Sequence, residues 1–330
     1  MIQLTLRFGR RNGVFGSNAY LVSLSLYLLA GMLIFLLYVR HLFHQARARH
    51  EALEIGPPQE RALLRPPGHY LQEKLFALAE EQESIAAKGV GSALFATLLL
   101  VAAISVGAQI AAAPSTLQNP MVQGVALTSA LALVGASGFG WFAYRYAKQM
   151  LTLRAKFRAT KLGLRGEQAV AEALQSPLVV QSGYFSFHDL PKSGGGNIDH
   201  VVVGPGGVFL IETKARSQRK PEPNRKRNQA KFDGRTMHFP WGGYDEQMAE
   251  QTRRNAEWLR TLLASVANVP VEPLLVLPGW NVQMEKRCEI KAMSANWLQY
   301  YLTDRRPVCT PEQLKPVLEL LDKRCRTVTF

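Results

Sequence analysis

The stretch SGGGNIDHVVVGPGGVFLIETKARS, residues 193–217, decides the fold of the C-terminal half of the chain. Two runs rich in β-branched residues flank the tetrapeptide GPGG at 204–207, and this pattern predicts a β-hairpin. A loop of two residues and a loop of four residues give the same pairing, with Val203 opposite Val208. Counting back along both strands from this pair places Asp199 opposite Glu212.

Three charged side chains of this hairpin are predicted to share one face, because side chains alternate along a strand. They are Asp199, Glu212 and Lys214. Two like charges directly opposed on antiparallel strands are destabilising unless a positive charge lies between them, and a divalent cation would supply that charge. The alternative is a salt-bridge cluster where the hairpin reaches solvent. The face predicted to carry the three charged side chains also carries Val201, Val203, Val208 and Leu210. The opposite face carries Ile198, His200, Val202, Phe209, Ile211 and Thr213.

The residues around the hairpin predict an α/β sandwich with a mixed central sheet. His200, on the opposite face from Asp199, is interpreted as packing in the core or against the site residues. The segment from 281 onward, with the aromatic residues Trp280, Trp297, Tyr300 and Tyr301, is expected to complete the core with helices. The predicted order is helix 164–175, strands 178–187, 197–203 and 207–214, a long basic loop, helix 246–266, strand 271–277, and helices 294–302 and 311–323.

The formal net charge of +14 is uneven, with +4 on residues 1–147 and +10 on residues 148–330. An excess of this size favours a polyanionic partner, either nucleic acid or an anionic membrane surface. The three cysteines form no CxxC pair, so neither a disulfide framework nor a zinc site is indicated.

A basic loop follows the hairpin directly, at residues 215–240. Such a cluster binds phosphate backbones through counterion release, and Phe232, Phe239, Trp241 and Tyr244 could add base stacking. The alternative is a solvated insertion. The predicted nucleic-acid-binding residues are Arg216, Arg219, Lys220, Arg225, Lys226, Arg227, Lys231 and Arg235.

Three apolar stretches, 17–39, 90–113 and 122–144, are long enough to cross a bilayer as helices. The basic residues beside these stretches place the helical linker at 40–89 and residues 148–330 on the cytoplasmic side of a bacterial-type inner membrane. Arginines in the tail before the first stretch oppose its translocation, so that stretch could instead be re-entrant or interfacial. The expected organisation is a tail at 1–16, a multi-pass membrane region at 17–147, a linker at 148–162, an α/β domain at 163–280 and a helical extension at 281–330.

The run GNIDHVVVGPGGVFLIETKA, preceded by GEQAVAEAL and followed by a helix that contains Gln251, resembles the NERD (nuclease-related) domain. That domain is similar to the PD-(D/E)xK restriction-endonuclease-like superfamily, and the resemblance covers roughly residues 163–280. It implies that Asp199 and Glu212 bind a metal ion. It also implies that Lys214 orients or activates the attacking water and stabilises the developing charge on phosphorus.

Two further residues enter through the resemblance. Glu167 resembles the acidic residue that family members place beside the metal, with an ordinary exposed helical glutamate as the alternative. Gln251, with Asn255 one turn later, could position the hairpin or a phosphate, with a solvated helix stripe as the alternative. The carboxylate donors favour Mg²⁺, with Mn²⁺ as the other candidate.

The sequence therefore predicts a membrane-anchored, magnesium-dependent nuclease that hydrolyses phosphodiester bonds in DNA, with RNA left open. One alternative is a non-catalytic, membrane-tethered nucleic-acid-binding or scaffold protein that retains the nuclease fold. Another is a regulator whose basic surface lies on anionic lipid.

Overall fold

The computed structural model describes residues 63–111, 118–217 and 228–326. The chain divides into two compact units, one made of Met1–Pro57 and Glu80–Leu153, the other of Pro58–Ala79 and Arg154–Phe330. The candidate site lies entirely in the second unit. The described helices are α1 His69–Ala111, α2 Gln118–Leu174, α3 Pro177–Gln181, α4 Gln247–Leu263, α5 Ala295–Thr303 and α6 Pro311–Cys325.

The predicted multi-pass membrane placement is contradicted. Among the residues that the structure describes, no helix combines the length and the apolar character that a bilayer crossing requires. The stretches predicted at 90–113 and 122–144 fall largely within α1 and α2, which both continue without a break into charged sequence. The stretch predicted at 17–39 lies outside the described residues.

Helix α2 runs through Gly163 and Gly166 without ending, although the sequence suggested a boundary there. The glycines serve close packing instead. A Cβ atom at Gly166 would lie 2.8 Å from the Cβ of Ala215, and one at Gly163 would lie 3.1 Å from Leu71. Glycine is therefore needed where this helix approaches the end of the hairpin, despite its cost of about 1 kcal/mol in a helix.

A mixed five-stranded sheet in the order β1-β2-β3-β7-β9 forms the centre of the second unit, which confirms the predicted α/β class. Val203 pairs with Val208, as predicted, while β3 pairs in parallel with β7, and β7 in parallel with β9. The strands are β1 Phe185–Pro191, β2 Asn197–Gly204, β3 Gly207–Thr213, β4 Gln229–Phe232, β5 Met237–His238, β6 Tyr244–Asp245, β7 Val271–Val276, β8 Asn281–Met284 and β9 Lys291–Met293.

Both faces of the sheet are covered by helices. Val201, Val203 and Leu210 pack with α4 and α6, whereas Phe209 and Ile211 pack with α2 and α5. This layering makes the central strands fully buried, so any charged group on them must be compensated.

The alternation of side chains breaks where Asp189 and Asp199 lie. Ile198 packs in the same cluster as Val201, three residues later, and Phe187 likewise shares that cluster with Leu190. A spacing of three cannot keep one face in a regular strand, so the predicted face of Ile198 is wrong. Asp189 has a φ of 54°, an uncommon conformation for a residue other than glycine.

Several element predictions were incomplete. Residues 177–181 form α3 rather than the start of a strand, with Pro177 in its first turn. The C-terminal extension supplies the edge strand β9 in addition to helices. The basic loop region contributes to a second, four-stranded sheet in the order β6-β5-β4-β8.

Candidate active site

The closest contact among the predicted catalytic side chains joins Lys214 and Glu212. The Lys214 Nζ donates to Glu212 Oε1 at 2.7 Å. The Glu212 side chain is 1% exposed and that of Lys214 is 25% exposed, so the ion pair is buried on the glutamate side and reaches solvent on the lysine side, and the salt-bridge alternative stays open. Both side chains project from the C-terminal end of β3, two residues apart.

Two amides of α4 hold this pair in place. The Asn255 Nδ2 donates to Glu212 Oε2 at 2.7 Å, and Lys214 Nζ donates to Gln251 Oε1 at 3.0 Å. The two residues lie four apart and therefore on one side of the helix. The predicted contact between these amides and the hairpin is present. Lys192, which the sequence did not single out, extends the network by donating to Asn255 Oδ1 at 2.6 Å.

Asp199 lies beside Glu212, but in a different way from the prediction. The regular β2–β3 pairing stops at His200 and Ile211, one step before the two acidic residues. The Asp199 Oδ2 instead accepts a hydrogen bond of 2.7 Å from the backbone N–H of Thr213. The carboxylate thus takes the place of a backbone acceptor at the open end of the hairpin.

Glu167 joins this carboxylate group from α2. It is 5% exposed, so it is not an ordinary surface glutamate. Burial is the main cause that raises the pKa of Glu167 to about 8, and the charges of Asp189 and Glu212 add to it. The charge of Lys214 acts in the opposite direction. Its Oε2 is buried with no hydrogen-bond partner among the described residues. A buried carboxylate oxygen in this state is suited to receive a proton or a cation.

The same neighbours control the other two ionisable groups. Burial, and then Glu212 and Glu167, raise the pKa of Asp199 well above its ordinary value. Burial lowers the pKa of the Lys214 ammonium, but Glu212 and Asp199 outweigh it and the net pKa is raised. The neighbouring carboxylates therefore favour the charged ammonium form of Lys214.

A second polar cluster adjoins the first, and the sequence gave no signal for it. Asp189 is completely buried and accepts from Arg65 Nη1 and from the Tyr70 backbone N–H, each at 3.2 Å. Asn197 Nδ2 also donates to it. Residues 65–70 precede the nuclease-like stretch by about a hundred positions, so only the fold brings them to β1.

His188 and His200 form a buried pair on β1 and β2, with their Nδ1 atoms 2.8 Å apart. Burial lowers the pKa of His188 to about 4, and burial together with His188 lowers that of His200 well below its usual value. His200 is fully buried, so its interpretation as core packing is confirmed.

Of the eight predicted nucleic-acid-binding residues, Arg219, Lys220, Arg225, Lys226 and Arg227 lie outside the described residues. The other three are each paired with a carboxylate: Arg216 with Asp245, Lys231 with Glu285 at 3.5 Å, and Arg235 with Glu246 at 3.7 Å. Their exposed positions leave them in reach of a ligand, although each already has an ionic partner.

The aromatic residues near the loop divide into two groups. Phe232 and Phe239 are buried and pack with Trp280 in the core of the second sheet, so their predicted stacking role is wrong. Trp241 stacks on Phe239 with ring centroids 5.0 Å apart, and Tyr244 is exposed.

The donor set suits a divalent cation by its chemistry, since Asp199, Glu212 and Glu167 offer carboxylate oxygens. In residues 63–111, 118–217 and 228–326, however, no group of three or more histidine, cysteine, aspartate or glutamate side chains is arranged to hold a metal ion. Asp199 with Glu212, the smaller set predicted to bind a metal, stays a prediction, and Glu167 Oε2 has no hydrogen-bond partner among the described residues.

Comparison with known proteins gives one result for this part of the chain. Residues 162–278 match the model of the NERD family, described as the nuclease-related domain. The match takes in the hairpin, Glu167 on α2 and the amides of α4. No curated protein and no solved structure matches the chain.

Proposed function

We propose that this protein is a metal-dependent nuclease that hydrolyses phosphodiester bonds, with DNA as its substrate. One observation carries the proposal. Within a nuclease-related domain, the buried carboxylates of Asp199 and Glu212 share one electrostatic cluster with the ammonium of Lys214. Buried like charges are costly, and a site that collects them favours a cationic ligand.

A divalent cation held by Asp199 and Glu212, with Mg²⁺ the favoured ion and Mn²⁺ the other candidate, would neutralise the scissile phosphate and acidify a bound water. Lys214, as a fixed cation, would stabilise the charge that develops on the phosphate oxygens. Gln251 holds the Lys214 ammonium by its hydrogen bond, and Asn255 holds Glu212. Glu167 would lie beside them as a third carboxylate, whose pKa burial raises to about 8 in the metal-free chain.

The proposal is tested with the full chain. Linear duplex, circular duplex and single-stranded DNA, and a matched RNA, are incubated with Mg²⁺, with Mn²⁺ or with EDTA, and the products are separated by size. We expect metal-dependent cleavage that falls by at least about a hundredfold in Asp199→Asn, Glu212→Gln and Lys214→Met. Glu250→Gln is the matched control, because Glu250 is an exposed glutamate that pairs with Arg254 on the outer side of α4.

A non-catalytic nucleic-acid-binding or scaffold protein is the second candidate, and one observation favours it. Both oxygens of Glu212 already accept hydrogen bonds, from Lys214 and Asn255, so this carboxylate is satisfied without a metal. DNA binding that persists in every variant, with no cleavage by the parent under any metal condition, would establish this second function and exclude the first.

A further inference from the structure

A groove of about 710 Å³ lies on the second unit at the edge of the five-stranded sheet, outside the stretch that matches the nuclease-related domain. It runs between β8, β9 and α5. Its lining includes Met284, Lys291, Trp297, Tyr300, Tyr301 and Arg305.

Two aromatic side chains of this groove are open to solvent. Trp297 is 66% exposed and Tyr300 is 53% exposed, although the sequence suggested that they complete the core. They lie three residues apart on α5 and so share one side of the helix, with their ring centroids 5.9 Å apart. Leu298 and Leu302 of the same helix supply its buried side. The exposed aromatic pair is therefore not required for packing.

The groove begins at the end of the sheet that carries the candidate active site. Met293 at the end of β9 pairs with Val276, and Val276 pairs with Thr213, the residue between Glu212 and Lys214. Adjacent strands lie about 4.8 Å apart, so these ends are within about 10 Å of each other. Helix α5 starts at Ala295, which puts Trp297 in its first turn at this same end.

Two cations lie beside the aromatic rings of the groove. Lys291 and Arg305 line it together with the carboxylate of Asp304, and a second carboxylate, that of Glu272, lies beside Arg305. The Arg305 guanidinium lies 4.5 Å from the Tyr301 ring centroid and pairs with Glu272, while Lys291 Nζ donates to the Cys288 carbonyl at 2.7 Å. These contacts fix both cations beside the aromatic rings. Exposed ring faces beside fixed cations are the combination that binds unpaired bases and their backbone.

We propose that this groove binds single-stranded nucleic acid, with bases stacked on Trp297 and Tyr300 and the phosphates beside Lys291 and Arg305. The proposal rests on the nuclease function proposed above and narrows its substrate to strands with unpaired bases. Duplex bases are already stacked inside the helix and offer no free faces to an aromatic side chain. The Trp297 end of the groove lies toward the strand ends that carry Glu212 and Lys214.

Binding is measured with the full chain in EDTA, so that cleavage does not interfere. The probes are fluorescein-labelled oligothymidylate and oligouridylate of about 16 nucleotides, and a duplex of the same length. We expect Trp297→Ala and Tyr300→Ala each to weaken binding of the single strands by about five- to a hundredfold, with a smaller loss on the duplex. The two single-stranded probes distinguish DNA from RNA as the source of the bases.

The matched control is Phe185→Ala, which removes an aromatic side chain that is 58% exposed on the opposite edge strand, β1. It should leave the affinity unchanged, and thermal melting checks that each variant is folded. Unchanged affinity for single strands in both Trp297→Ala and Tyr300→Ala would overturn the proposal that the groove binds them, and it would leave the result of the cleavage assay unaffected. A parent chain that binds no single strand would overturn it too. If the parent chain does not cleave nucleic acid but these variants still lose affinity for single strands, single-strand binding by the groove is supported and the proposed nuclease function is rejected.

Discussion

Asp189 and Asp199 are neighbouring buried aspartates on adjacent strands, and their surroundings differ sharply. Asp189 receives hydrogen bonds from Arg65, from the Tyr70 backbone and from Asn197. Among the described residues, Asp199 receives one backbone hydrogen bond, from Thr213, and its nearest charges include two other carboxylates. Burial raises the pKa of both.

The difference separates a carboxylate that is satisfied within the fold from one that would bind a cation under the proposed function. A buried ion that is paired and hydrogen-bonded holds the fold together, whereas a buried ion among like charges is stabilised only when a cation or proton arrives. Burial alone does not distinguish them. The donors around each aspartate do.

Removing Asp189 should have the largest effect on stability. In Asp189→Ala, the ion pair with Arg65, whose side chain is 19% exposed, would be lost, and the Tyr70 N–H and the Asn197 amide would lose an acceptor. Breaking such a buried pair costs about 3–5 kcal/mol. The measurement is the free energy of unfolding from urea titration of the metal-free chain. A loss below about 1 kcal/mol would show that Asp189 is not the structural member of the two.

Glu167 should make the metal-free chain less stable as the pH rises. Its folded pKa is about 8 and its ordinary value is 4.5, so the folded state keeps a proton that the unfolded state has lost. This contribution is complete below pH 4.5 and is lost as the pH rises through 8. The slope is at most about 1.4 kcal/mol per pH unit, or roughly 2 kcal/mol between pH 6.5 and 8.5.

Urea titrations at several pH values between 6.5 and 8.5 measure this slope, and Glu167→Gln should flatten it. The range matters because the buried pair His188 and His200, with lowered pKa values, acts in the opposite direction below about pH 6.5. Saturating Mg²⁺ should also flatten the slope in the parent, since a metal that binds these carboxylates displaces the proton. Equal slopes in parent and Glu167→Gln would contradict the raised pKa.

The contrast between the two aspartates also shows what a sequence can predict. The hairpin register followed from local signals, since GPGG fixes the turn and the β-branched residues fix the strands. That register is enough to bring Glu212, Lys214 and Asp199 to one end of the sheet. The helix amides of Gln251 and Asn255 were likewise accessible, because their spacing of four places them on one side of α4.

Other features depend on contacts that no local pattern encodes. Arg65 lies 124 residues before Asp189, so nothing near Asp189 indicates a partner. The strands of the second sheet are two to four residues long, too short for alternation to be visible. The β-branched pair in PLVVQ suggested a strand, but Pro177 in the first turn and the buried Val179 favour a short helix.

Neutralising Asp199 should have the opposite sign from removing Asp189. Asp199→Asn keeps an oxygen that can accept from Thr213 N–H and removes repulsion from Glu212 and Glu167. We expect the metal-free chain to gain about 1 kcal/mol at pH 8, where the carboxylates are most charged, and to lose metal-dependent cleavage. Urea titration measures the first effect and the nuclease assay the second. A loss of stability as large as that of Asp189→Ala would show that both aspartates stabilise the fold.

The smallest effect should come from an ion pair that is shorter than Arg65–Asp189. Arg254 Nη1 lies 2.6 Å from Glu250 Oε1, against 3.2 Å for the buried pair, but both of its side chains are about two-thirds exposed. Water screens the charges of an exposed pair, and it still solvates one partner after the other is removed. Arg254→Ala should therefore change the free energy of unfolding by less than about 0.5 kcal/mol. The same urea titration measures it, with Asp189→Ala alongside. A loss above about 2 kcal/mol in Arg254→Ala would mean that distance, rather than burial and the number of donors, governs the charged contacts of this protein.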